Sequence, residues 1–140
     1  MFKLNLDDRL SSWAVLRAQL ETCEDPFQQV IDFWQPAPYI HYNHLVDQYN
    51  KGSWPTPWEI IAENKYDDFT RAIMMGYSLR FTNRFKKSVI TVQTSVDRTK
   101  KACYNIVCID GDWAINYKDN TPILLKDISE SFLVENIIEL

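Results

Sequence analysis

The chain has 140 residues, enough for one domain that buries a hydrophobic core without stabilisation by disulfides or metal ions. Hydrophobic residues make up 46% and aromatic residues 14% of it, a composition too apolar for a disordered chain. The formal net charge of −4 argues against a general nucleic-acid binder, because a polyanion requires a concentrated basic face. We therefore expect a single domain, residues 1–140, that does not bind nucleic acid.

Helix start signals are clear in the first third of the chain. Asp8 or Ser11 can cap a first helix, and Asp25 followed by Pro26 gives an N-cap and a first helical residue for a second. Pro36 then ends the second helix. The segment 39–50 is left open between a loop and a short helix, because His41, Leu45 and Tyr49 recur at steps of four.

The strongest local signal is the segment WPTPWE at residues 54–59. Thr56 and Glu59 have the spacing of a capping box, and Pro57 lies at the first helical position. A fourth helix is predicted after Asp67 and Asp68, whose negative charges suit the positive end of its dipole.

Beyond residue 83 the apolar pattern changes from helical to alternating. Strands are predicted at residues 89–96, 102–109 and 113–117, with Asp110-Gly111 as a hairpin turn. Residues 122–125 can add a short strand, and the tail 128–140 fits a helix and a strand equally well. The predicted fold class is α+β, with N-terminal helices packed on a small antiparallel sheet of three to five strands.

Few residues are arranged for chemistry. Asp67 and Asp68 point about 100° apart on a helix, so they are predicted to be helix N-terminal acids rather than a metal pair. The three cysteines form no C-x-x-C pair, and His41 and His44 have no cysteine partners at zinc-ligand spacing. We therefore predict no metal and no cofactor. A cysteine–histidine site assembled by the fold is the catalytic alternative.

The expected cellular location depends on the lack of a membrane-spanning segment and of a secretory signal in the sequence. The chain has no apolar run of the length that a membrane span needs, and Met1 to Arg9 contains no secretory apolar region. We expect no membrane contact and a cytoplasmic location, or a virion location if the protein is phage-encoded. Two basic clusters, 84–87 and 98–101, flank the first predicted strand and are interpreted as solvated strand ends, with a small anion-binding patch as the alternative.

Aromatic residues crowd into a proline-punctuated stretch. Such residues either fill the core or anchor a protein partner at low entropy cost. The candidates for partner binding or self-assembly are Trp34, Tyr39, Tyr42, Trp54 and Trp58.

The sequences YDDFTRA (66–72), YNIV (104–107) and DGDWAIN (110–116) together resemble the core of transglutaminase-like domains and related papain-fold cysteine peptidases. In that family a helix begins at the catalytic cysteine, and antiparallel strands bring a histidine and an aspartate or asparagine beside it. The resemblance, which covers less than half of the chain, implies that these positions fall on Tyr66, Tyr104 and Asn116. A phenol with a pKa of about 10 replaces neither a thiolate nor an imidazole at neutral pH.

The resemblance therefore implies a non-catalytic relative. The chain as a whole, rich in aromatic residues and without a chemical motif, also resembles small structural or accessory proteins of tailed phages. We accordingly expect a non-catalytic protein-binding or assembly module, with a hydrolase or transferase that uses a cysteine–histidine site as the alternative.

Overall fold

The computed structural model describes residues 1–44, 46–118, 120–128 and 132–140. Within these ranges four α-helices precede five strands and confirm the α+β class. The helices are α1 (Leu6–Leu20), α2 (Pro26–Trp34), α3 (Pro57–Glu63) and α4 (Asp68–Arg80); the strands are β1 (Ile90–Asp97), β2 (Ala102–Ile109), β3 (Trp113–Ile115), β4 (Ile123–Leu124) and β5 (Phe132–Glu139). The antiparallel sheet has the order β4-β3-β2-β1-β5.

Side-chain caps begin the helices, mostly where the sequence indicates. Asp25 accepts a hydrogen bond from Gln28 N at 3.2 Å, and the capping box of Thr56 and Glu59 is formed. The cap of α1 was predicted wrongly: Asn5 accepts from Asp8 N at 2.9 Å, so the helix starts before Asp8 and Ser11. This earlier start places Asp8 within the first turn, where its negative charge interacts favourably with the positive end of the helix dipole.

The hairpin between β2 and β3 forms at Asp110-Gly111. Both residues have positive φ, 54° and 71°, as the central residues of a type I′ turn do, and Asp112 N donates to Ile109 O at 3.0 Å. Three residues, 110–112, separate the paired Ile109 and Trp113. Strand β3 is shorter than predicted because Asn116 has a φ of 60°, which turns the chain out of the extended conformation. The tail 128–140, which fitted a helix and a strand equally well, forms a strand, because β5 pairs with β1. Residues 129–131 of this tail lie outside the described residues.

The segment 39–50 contains no helix in its described part, which leaves out Leu45. Its start is held by backbone bonds to the segment before α4: Ile40 N donates to Tyr66 O, and Tyr66 N donates to Pro38 O, each at 3.0 Å. These bonds keep the chain extended at that point. The segment therefore lies as a loop beside the N-terminus of α4.

Two apolar clusters lie on opposite faces of the sheet. The larger lies between the helices and the sheet and includes the fully buried Trp13 and Trp34. The smaller covers the other face, where Ile106, Cys108 and Ala114 are its buried members. Among the described residues, no helix has the length and apolar character that would let it cross a lipid bilayer.

Candidate functional site

A hydrogen-bonded cluster joins the N-terminus of α4 to the sheet. Asp68 Oδ2 accepts from Asn105 N at 3.2 Å and from Asn105 Nδ2 at 3.0 Å. Asp68 Oδ1 accepts from Asn116 Nδ2 at 3.3 Å, and the same amide donates to Asn105 O at 2.9 Å. One carboxylate therefore links the helix to β2 and to the end of β3. We call Asp68, Asn105 and Asn116 the Asp68 cluster.

A cleft of about 360 Å³ opens beside the Asp68 cluster. Its walls come from residues 41–42 and 46–49, the start of α4 and the start of β2. Tyr42 and Tyr49 are exposed at 60% and 58%, so their rings form its rim. The carboxylates that line it belong to Asp47, Asp67 and Asp68. We call this space the acidic cleft.

Asp67 holds the cleft in shape. Its carboxylate is buried and accepts from Thr70 N at 2.7 Å through Oδ1 and from Asn43 N at 3.1 Å through Oδ2. The first bond caps α4 and the second fixes the loop against it. The prediction of a helix N-terminal acid is therefore confirmed for Asp67. Within the described ranges, no group of three or more histidine, cysteine or acidic side chains is placed to hold a metal ion.

The side chains at the three positions that the resemblance assigns to catalytic residues, Tyr66, Tyr104 and Asn116, are not in contact with one another. Tyr66 is buried in the larger core, where burial raises the pKa of its phenol and no described residue forms a hydrogen bond with its hydroxyl. Tyr104 lies on the opposite face of the sheet against Tyr117 and Phe132. Asn116 lies beside the start of α4, where its amide donates to Asp68 Oδ1. The side chains that do meet are those of the Asp68 cluster.

One member of the Asp68 cluster, Asn105, was not predicted from the sequence. Asn105 follows Tyr104, and alternation along a strand turns adjacent side chains to opposite faces. The pairing of Asn105 with Thr94 on β1 places it on the helix-facing side. A buried amide in an otherwise apolar strand was the signal for it, since buried polar groups require partners.

The thiols show no sign of activation. Cys103 and His41 both line the acidic cleft, but none of the three thiols hydrogen-bonds to a histidine in the described part of the chain. Burial and the negative charges of Glu135 and Asp68 raise the pKa of Cys103. Burial raises the pKa of Cys108 to about 11. Both groups are neutral thiols at pH 7, and the thiolate is the nucleophilic form.

The candidate partner-binding residues divide into two sets. Trp34 is fully buried and donates its indole N–H to Ser78 Oγ at 3.0 Å, so its assignment as a partner contact was wrong. Trp54 is half-buried, with its ring against Phe69. Tyr39, Tyr42 and Trp58 are exposed and remain available to a partner.

Trp58 belongs to a row of three rings at the surface. Its ring stacks on Phe81 with centroids 5.8 Å apart, and Phe81 stacks on Tyr77 at 5.4 Å. Beneath them the buried Trp13 makes edge contacts with Trp58 and Phe81. We call Trp58, Phe81 and Tyr77 the aromatic row. The sequence did not indicate it, because its members come from α3 and from the distant end of α4.

The basic clusters differ in their surroundings. Arg84 donates to the carbonyls of Leu20 and Cys23 at 3.2 and 2.7 Å, so its charge stabilises the end of α1. Residues 98–101 form the exposed turn between β1 and β2. The clusters flank β1 as predicted.

Comparison of the chain with family models, with curated proteins and with solved structures finds no match. The chemistry of the acidic cleft and the exposure of the aromatic row are therefore the observations that bear on function.

Proposed function

We propose that the chain is a non-catalytic protein-binding or assembly module that contacts its partner through the aromatic row. The observation that carries the proposal is the exposure of Trp58 at 47% and Phe81 at 41% in one stacked unit. Aromatic rings held rigidly at a surface anchor protein contacts with little loss of conformational entropy.

The exposed area is large enough to matter for binding. A buried Trp or Phe side chain removes about 150–250 Å² from water, so the exposed parts of these two rings amount to roughly 150–200 Å². At about 25 cal/mol per Å², covering them contributes about 4–5 kcal/mol before the costs of association. A contribution of this size suits the centre of a protein interface.

The Asp68 cluster supports a non-catalytic assignment. Apart from the Asp68 carboxylate, its side chains are the amides of Asn105 and Asn116. Neither amide can accept a proton as a general base at neutral pH. The resemblance to transglutaminase-like domains places Tyr66 and Tyr104 at the cysteine and histidine positions, where a phenol replaces neither group. We therefore propose a degenerate relative of that fold, in the cytoplasm or as a virion or accessory component of a tailed phage.

A second candidate is a hydrolase or transferase that uses Cys103 and His41. The observation in its favour is that both side chains line one cleft. It predicts that iodoacetamide at neutral pH modifies Cys103 much faster than it modifies an unstructured cysteine peptide. An equal or slower rate contradicts this candidate.

Site-specific photo-cross-linking tests the main proposal. A benzophenone amino acid is placed at position 58, and a matched variant carries it at position 15, where Val15 is also exposed at 55%. We expect one defined adduct, with a partner or with a second copy of the chain, from position 58 and none from position 15. Equal or absent cross-linking at both positions contradicts the proposal.

A further inference from the structure

We propose that the acidic cleft binds an arginine side chain presented by a basic segment of the protein partner. This inference rests on the proposed function, because it names the chemistry of a partner that the aromatic row would also contact. The cleft and the row are formed by different side chains, so each can be tested without the other.

The charges around the cleft favour a cation. Carboxylates of Asp47, Asp67 and Asp68 line it, whereas the N-terminus of α4 contributes about half a positive charge. Among the described residues that line the cleft there is no lysine and no arginine. Burial is the larger cause of the raised pKa of the neighbouring Cys103, and the negative charges of Glu135 and Asp68 raise it further.

The three carboxylates differ in how many hydrogen bonds they already accept, and this difference indicates which one would bind the cation. Both oxygens of Asp67 are engaged by backbone N–H groups, and Asp68 is bound by two amides and by Arg71 at 3.4 Å. Asp47 is exposed, and its carboxylate accepts one hydrogen bond from a described residue, that of Tyr49 N at 3.0 Å. Asp47 is therefore the carboxylate with free lone pairs for an incoming donor.

The rim favours arginine over lysine. The exposed rings of Tyr42 and Tyr49 are flat surfaces beside the carboxylates. A guanidinium group is planar, stacks on aromatic rings and is weakly hydrated, whereas an ammonium group keeps its water more strongly. The volume of about 360 Å³ lies within the range of small-ligand sites, about 300–1,000 Å³, and accommodates one arginine side chain.

An NMR titration of the full chain tests the inference. The probes are acetyl-Gly-Arg-Gly-Arg-Gly-amide and the matched peptides with lysine or glutamate in place of arginine. We expect backbone amide shifts confined to residues 41–49, 67–69 and 103–105, at least three-fold tighter binding of the arginine peptide than of the lysine peptide, and no binding of the glutamate peptide. Added salt should weaken the binding.

Two variants localise the interaction. Asp47→Asn keeps the bond to Tyr49 N but removes the charge, and Tyr42→Ala removes one rim ring; each should weaken arginine-peptide binding at least three-fold. Asp32→Asn removes an exposed acid outside the cleft and should leave the affinity unchanged. Shifts spread over the whole surface, equal binding of the lysine and arginine peptides, or wild-type affinity of Asp47→Asn overturns the inference.

The cross-link at position 58 reports on the aromatic row alone. A cross-link without peptide binding overturns the arginine site and leaves the protein-binding proposal standing. Peptide binding in the cleft without a cross-link at position 58 overturns the role of the aromatic row and leaves the arginine site standing.

Discussion

Ser78 on α4 is the hydrogen-bonding partner of two core tryptophans, and its replacement by alanine is expected to destabilise the fold strongly. The indole N–H groups of Trp13 and Trp34 both donate to Ser78 Oγ, at 2.9 and 3.0 Å, and the hydroxyl donates to Met74 O at 2.6 Å. Its one donor and two acceptor positions are thus all used. The hydroxyl lies in the centre of the core, because Ser78 and both indoles are fully buried.

The magnitude follows from the two donors that Ser78→Ala leaves without an acceptor. A buried group that loses its partner costs about 1–3 kcal/mol, so two cost about 2–6 kcal/mol. Alanine has a higher helix propensity than serine, which offsets about 0.5 kcal/mol of this loss. The expected decrease in the free energy of unfolding is therefore about 2–5 kcal/mol, measured by urea denaturation and equivalent to a fall in Tm of about 2–4 °C per kcal/mol.

Thr70→Val is the matched control on the same helix. Thr70 is fully buried, and its hydroxyl has no hydrogen-bond partner in the described part of the chain. A near-isosteric apolar side chain should therefore change stability by less than about 1 kcal/mol or raise it. A loss below about 1 kcal/mol for Ser78→Ala would show that the two indoles do not depend on Ser78, and would refute the reasoning.

The remaining predictions concern a surface carboxylate, the Asp68 cluster and the thiols. Hydrogen bonds from Asn83 N and Arg84 N lower the pKa of Glu21 below its usual 4.5. The ionised carboxylate therefore stabilises the fold above pH 4.5, and this stabilisation is lost as the pH falls through the lowered pKa. Glu21→Gln should make the free energy of unfolding depend less on pH on the acid side, and an unchanged dependence would contradict the assignment. Asp68→Ala should lower the free energy of unfolding by about 2–4 kcal/mol. It removes the acceptor of the backbone and side-chain N–H groups of Asn105, and one of the two acceptors of the Asn116 amide. A loss below about 1 kcal/mol would be inconsistent with the cluster. Iodoacetamide should modify the exposed Cys103 before the buried Cys108, whose pKa is raised to about 11, and mass spectrometry showing the reverse order would contradict the placement of the two thiols.

Local chemistry was readable from the sequence because it depends on near neighbours. The capping box at Thr56 and Glu59 and the turn at Asp110-Gly111 involve residues a few positions apart, and both are formed. The misplaced start of α1 has the same origin, since Asn5, Asp8 and Ser11 can all cap a helix. The structure distinguishes them by which one accepts from the first turn.

Properties that depend on distant residues could not be read in this way. The tail became a strand because β1 offers it an edge more than 30 residues earlier in the chain. Trp34 and Trp58 are chemically alike, and their different exposure follows from how α2 and α3 pack against α4. The Asp68 cluster likewise required the register of β2 and β3 to be known.

Protein binding through the aromatic row is the central claim, and the affinity of the partner identified by cross-linking for variants of the row tests it most directly. Isothermal titration calorimetry would compare the wild-type chain with Trp58→Ala, Phe81→Ala and the exposed control Val15→Ala, each confirmed as folded by circular dichroism. We predict at least ten-fold weaker binding for both row variants, as expected for the centre of an interface, and wild-type binding for the control. Equal affinity of all four proteins would contradict the account.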